Sequence, residues 1–242
     1  MSYDFDGSAD WFTSTDAALT GLVPPFSVAC WFNSDTTSGE HRLWSIGNTS
    51  TTDQEHSLYG FNASVRALTR AAGNGIAAAS GSFSTTTWTH AAGRWIATNS
   101  RRAYRDGANE GTNTTTRVPS GINTSLVGRE GRNTSTRLWD GRIGELAVWD
   151  VDIGADAITA LAKGFSPLLV HPNSLIDYWQ MIRHSRGVRG INWTEVSAPP
   201  IAEHTRVFMP SKPHIGLAPF VAPPAGDIIP EIMHHRKQMQ AA

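Results

Sequence analysis

The chain has 242 residues and carries 20 basic against 21 acidic side chains, a formal net charge of -1. That length suits one large domain, or a domain with an appendage, and a near-zero charge gives no overall field to attract nucleic acid or an anionic membrane. One cysteine, Cys30, excludes an internal disulfide framework and any multi-cysteine zinc site; it is expected to be a small buried apolar residue. Charged residues make up only 17% of the chain, and Thr, Ser, Asn and Gly take their place, which favours strands and turns. The start, Met1 to Gly7, shows neither a basic nor an apolar leader region, so no secretory signal is expected. No apolar run approaches the roughly 18–20 residues of a membrane span.

In chain order, Pro25 to Phe32 alternates Phe26, Val28, Cys30 and Phe32 with Ser27, Ala29 and Trp31, a two-faced strand. Arg42 to Gly47 and Trp88 to Trp95 are expected to be strands. Ala103 to Asn109 is expected to be a hairpin with Asp106-Gly107 at its turn. Ser125 to Gly128 and Gly141 to Trp149 continue the series. One helix is expected, from Ala155 to Lys163, with Ile158, Leu161 and Ala162 at helical spacing, Gly164 at the C-cap and Pro167 beyond. Eight of the 13 prolines fall between Pro199 and Pro230. These two regimes divide the chain into a body, 1–180, and an extended proline-rich C-terminal arm, 181–242. The arm is too apolar for a spacer and is expected to lie on a partner surface.

Five motifs in order resemble the laminin-G-like, concanavalin A-like jelly-roll domains: Tyr3-Asp4-Phe5-Asp6-Gly7-Ser8-Ala9-Asp10, Pro25 to Phe32, Trp88-Thr89-His90-Ala91-Ala92-Gly93, Tyr104-Arg105-Asp106-Gly107, and Trp139 to Trp149. The resemblance implies an all-β jelly-roll β-sandwich with one short helix. It implies a fold more firmly than a function, because such domains serve as sugar-binding modules, adhesion modules and glycan hydrolases, and similar ones occur in tailed-phage virion proteins.

Hydrolysis of a glycan needs two carboxylates flanking one bond. The sequence offers no such triple, only Asp4/Asp6 and Asp140/Glu145/Asp150, and the resemblance places Glu145 in the sheet as a structural partner. No catalytic residue, cofactor or metal ligand is therefore expected. Asp53, Glu55 and Asp106 are the oxygens available for Ca2+, with turn-forming roles the simpler expectation. His204, His234 and His235 lack a carboxylate cluster for a metal. Of nine tryptophans, Trp31, Trp88, Trp95, Trp149 and Trp179 are expected in the core. Trp11, Trp44 and Trp139 are open either to the core or to stacking on a sugar. The arginines from Arg101 to Arg142, with Arg183, Arg186 and Arg189, are expected to form ion pairs with a protein partner.

The leading expectation is a non-enzymatic virion structural protein made in the host cytoplasm, a phage capsid decoration or cement protein. It would sit as a homo-oligomer on the particle, without nucleic acid or membrane. Val207, Phe208, Ile215, Leu217, Phe220, Val221, Ile228 and Ile232 of the arm would dock on the major capsid protein or another virion protein. The alternative is a carbohydrate-binding, lectin-like module of a tail fibre or host-recognition protein, with a glycan as partner.

Overall fold

The structure is a computed structural model, and it describes residues 2–133, 137–181 and 186–203. Its strands are β1 (Ser2–Asp6), β2 (Trp11–Ser14), β3 (Phe26–Ser34), β4 (Glu40–Gly47), β5 (Glu55–Phe61), β6 (Ser64–Arg70), β7 (Asn74–Ala78), β8 (Trp88–Ala97), β9 (Ser100–Arg105), β10 (Ala108–Asn113), β11 (Thr124–Val127), β12 (Asp140–Trp149), β13 (Leu175–Trp179), β14 (Thr194–Val196) and β15 (Ile201–Ala202). The helices are α1 (Ala17–Thr20) and α2 (Gly154–Ala162), followed by a 3-10 turn at Pro167–Leu169.

Two antiparallel sheets face each other. The eight-stranded sheet runs β10-β9-β8-β3-β12-β1-β15, with β13 on the second half of β12; the seven-stranded sheet runs β14-β2-β11-β4-β5-β6-β7. This is a concanavalin A-like sandwich, as the motifs imply. Phe26, Val28, Cys30 and Phe32 of β3 point into the core between the sheets, as alternation predicts. Asp106-Gly107 turns the β9–β10 hairpin, and Gly107 holds a positive φ of 75° against Thr159 of α2, where a side chain would clash. A second, smaller core lies on the outside of the eight-stranded sheet. There Ile158 and Leu161 of α2 cover Ala29, Ala92, Tyr104, Trp149 and Tyr178.

The division at 180/181 needs correction. Residues 186–203 belong with the body: β14 pairs with β2 and β15 with β1. Trp193 is buried and stacks on Trp179, ring centroids 5.3 Å apart. The compact unit accordingly runs Met1–Met209. Its last strands are two and three residues long, too short to show any alternation. No helix among the described residues is long and apolar enough to cross a membrane.

Candidate functional site

The outer face of the seven-stranded sheet gathers most of the unusual chemistry. On β5, His56 and Leu58 point inward, so Glu55, Ser57, Tyr59 and Phe61 face out; on β6, Arg66, Leu68 and Arg70 share that face. Register sets Arg70 opposite Glu55 and Arg66 opposite Tyr59. Residues 128–133 and 137–139, the described parts of the loop after β11, lie over the neighbouring β4. The ends of the loop are tied by the Trp139 amide donating to the Gly128 carbonyl (2.8 Å), and the Ser45 hydroxyl donates to the Arg129 carbonyl (2.8 Å). Gly47 permits the approach, since a Cβ there would sit 1.7 Å from the Gly131 oxygen.

Under this loop lies a buried ion-pair network. The Arg42 guanidinium donates to Glu55 (2.9 Å), Glu40 (2.6 Å) and Glu130 (3.0 Å). Arg132 pairs with Glu130 (2.6 Å), and Arg137 pairs with Glu130 (2.5 Å) and Glu40 (2.7 Å). Burial alone would lower the Arg42 pKa, but Glu55, then Glu40 and Glu130, reverse this and raise it above the usual arginine value. Three arginines thus balance three glutamates. Arg66 and Arg70 are left over: among the described residues neither has a carboxylate within ion-pair distance, and the Nε of each is buried without a hydrogen-bond partner. Arg66 lies over the Phe61 ring at 4.2 Å, and Arg42 over the Tyr59 ring at 4.4 Å. Burial, and secondarily the Arg132 charge, push the Arg70 pKa down. The Ser57 hydroxyl, between Arg66 and Arg70 in register, is buried and unpartnered. The arrangement is a patch with two partly exposed guanidiniums outside ion-pair reach of any described carboxylate, although Glu55 and Glu130 still act on Arg70 at longer range; it suits an anionic ligand.

The tryptophan expectations divide. Trp44 and Trp139 are fully buried, so neither presents a ring face to a sugar. A bulge between Arg42 and Trp44 turns both Leu43 and Trp44 inward, and Trp139 packs edge-on against Phe32 at 5.2 Å. Trp11 stays half-exposed on the outer face of β2, with the Arg129 guanidinium 4.4 Å over its ring. Trp95, Trp149 and Trp179 are core, whereas Trp31 and Trp88 are half-exposed on the outside of the eight-stranded sheet, because they alternate with inward residues.

The other candidates are dispersed. Glu55 belongs to the ion-pair network, Asp53 accepts from the Ala72 amide, and Asp106 accepts from the His90 amide. Among the described residues no group of three His, Cys, Asp or Glu is placed to hold a metal. Glu145 is buried and accepts a hydrogen bond from the Tyr178 hydroxyl, a structural contact inside the second core. Of the arginines, Arg102 pairs with Glu110, Arg142 with Asp4, and Arg132 and Arg137 with the network, whereas the Arg101, Arg186 and Arg189 side chains donate to neutral acceptors. His204, His234, His235, Arg183 and the arm residues Val207, Phe208, Ile215, Leu217, Phe220, Val221, Ile228 and Ile232 lie outside the described residues. The patch of Arg66 and Arg70 itself escaped the sequence reading. The one signal for it is the run Ser64 to Arg70, where Arg66, Leu68 and Arg70 alternate with Val65, Ala67 and Thr69.

The model of the concanavalin A-like lectin/glucanases superfamily matches residues 6–159, and the chain belongs to this family. Among solved structures, the CBM40 of the Ruminococcus gnavus IT-sialidase bound to alpha2,3-sialyllactose aligns with a TM-score of 0.57 at 14% identity, over 67% of this chain and 98% of that one. A point mutant of the NanB sialidase from Streptococcus pneumoniae gives 0.55 at 16% identity over 65% of this chain, which spans only 27% of the sialidase. The heptameric SAP-like pentraxin from Limulus polyphemus gives 0.52 at 14% identity, over 66% of this chain and 81% of that one. At these identities the likeness is one of fold. No curated protein matches the chain.

Proposed function

We propose that this protein is a non-catalytic, lectin-like carbohydrate-binding module, and that its site is the arginine patch on the outer face of the seven-stranded sheet, selective for acidic glycans. Arg66 and Arg70, which have no ion-pair partner among the described residues, carry this reading. Each of the two partly exposed guanidiniums offers donors to an anionic sugar group, and the partly exposed Phe61 ring under Arg66 adds apolar surface. Likeness to a CBM40 bound to a sialylated sugar supports the same class. Absence of turnover is supported by the state of the acids: Glu55 and Glu130 are buried in ion pairs, and Glu145 is closed inside the second core. The family match favours this alternative over capsid decoration, whose expected docking residues are not described.

Titration calorimetry with 3'-sialyllactose against lactose tests the reading. Charge-assisted hydrogen bonds are worth roughly 1.5–3 kcal/mol, so sialyllactose should bind at least tenfold tighter than lactose. Arg66→Ala with Arg70→Ala should erase that difference while the protein stays folded. Equal binding of the two sugars, or a preference that survives the double substitution, overturns the assignment.

A further inference from the structure

At one end of the sandwich the turn Thr20 to Pro24 and the segment Arg117 to Ile122 enclose a groove of about 310 Å3. Its walls are Leu22, Val23, Pro24, Val118, Pro119 and Ile122, and its floor includes His56. Val23 and Val118 are 73% and 62% exposed, far more than single valines need to be in a folded domain. We propose that this groove is a separate binding site for a compact amphipathic monocarboxylate, its apolar body held between Val23 and Val118 and its carboxylate on Arg117.

The charge at this corner argues for an anion. Arg101 is almost completely buried, yet its guanidinium donates only to neutral acceptors: the Asn113 amide oxygen, the Thr98 carbonyl (2.9 Å) and the Thr115 carbonyl (2.8 Å). A buried cation is ordinarily paired with an acid. Arg117, close enough to act on Arg101 electrostatically, lines the groove; its side chain donates to the Thr116 carbonyl (3.3 Å), and its Nε has no partner. Among the described residues no carboxylate lies within ion-pair distance of either arginine. Burial first, and the like charge of Arg117 second, pull the Arg101 pKa down to about 10, with no described carboxylate beside either arginine to act as counter-charge. A carboxylate on Arg117 would supply that charge. The floor adds no competing one: burial, then Arg101, hold the His56 pKa down at about 3, so its imidazole is neutral and serves as a hydrogen-bonding surface. The apolar walls reject a bare inorganic anion, and the size fits a body of a few carbons.

Hexanoate is the probe, with hexan-1-ol and acetate as controls, each titrated into the full 15N-labelled chain. Saturable shifts of the Leu22, Val23, Val118, Gly121 and Ile122 amides are expected with hexanoate. Both controls should bind at least tenfold more weakly, since each lacks one half of the ligand. In Arg117→Gln, whose spectrum reports whether the fold is kept, hexanoate should fall to the level of hexanol. No saturable shift with hexanoate, equal affinity for hexanol, or full hexanoate binding by Arg117→Gln would each overturn the proposal.

Discussion

Arg42 shows how one residue in the middle of a strand comes to organise a surface. It is fully buried, yet it faces away from the main core, and three carboxylates and the Tyr59 ring enclose it. Removing one member of such a cluster costs more than the cluster contributes, because the remaining charges stay buried without a partner. Arg42→Ala should therefore destabilise the protein by about 3–5 kcal/mol, read from urea denaturation. Loss of less than about 1 kcal/mol, the scale of an exposed pair, would show that water reaches the network. Trp11, half-exposed under Arg129, is the opposite case. Its alternation with buried Phe12 keeps it on the outer face, whereas Trp44 is carried inward by a bulge.

At the level of elements, the strands that close the sandwich are its shortest. β14 and β15 contribute few hydrogen bonds, but they anchor the segment that delivers Ile191 and Trp193 to the core. Trp193 stacks on Trp179, which in turn meets Phe12 edge-on at 4.7 Å, so an aromatic chain joins late residues to the first strands. Trp193→Ala should cost about 3–5 kcal/mol and lower the thermal midpoint, as for other large-to-small core changes. A near-neutral result in calorimetry would mean that residues after 180 are peripheral after all. The described parts of the loop after β11, 128–133 and 137–139, are held differently, largely by ion pairs and backbone contacts to β4.

For the molecule as a whole, a formal charge of -1 conceals arginines, among them Arg66, Arg70, Arg101 and Arg117, that have no ion-pair partner among the described residues. Two interior histidines contribute to its response to acid. Burial holds His56 and His90 at pKa values of about 3, well below the ordinary 6.5. Between those values the unfolded chain takes up protons that the folded one refuses. The contribution of these histidines is thus complete above pH 6.5 and falls as pH drops towards 3, by about 1.4 kcal/mol per pH unit for each histidine. Urea midpoints at pH 7 and pH 4.5 should show this loss. His90→Gln should make the pH dependence shallower by about one proton. An unchanged slope would place the acid sensitivity elsewhere.

Much of the architecture was legible because strand alternation is local. The inward set Phe26, Val28, Cys30 and Phe32, the Asp106-Gly107 turn and α2 with Gly164 after it all follow from neighbouring residues. The family resemblance through Trp88 to Gly93 and Trp139 to Trp149 ordered those pieces into the right fold. What local pattern could not supply was the partner across the sheet. Arg42, Glu55 and Glu130 are 13 and 88 residues apart and meet only through β4–β5 pairing and a loop folded back on its own sheet. A single bulge reversed Trp44, and strands of two and three residues brought Trp193 home without any readable period. The sequence by itself determined the sandwich, through period-two patterning and turns. Only the tertiary structure decided which arginines keep a partner, because pairing of buried charges depends on distances that no spacing along the chain encodes.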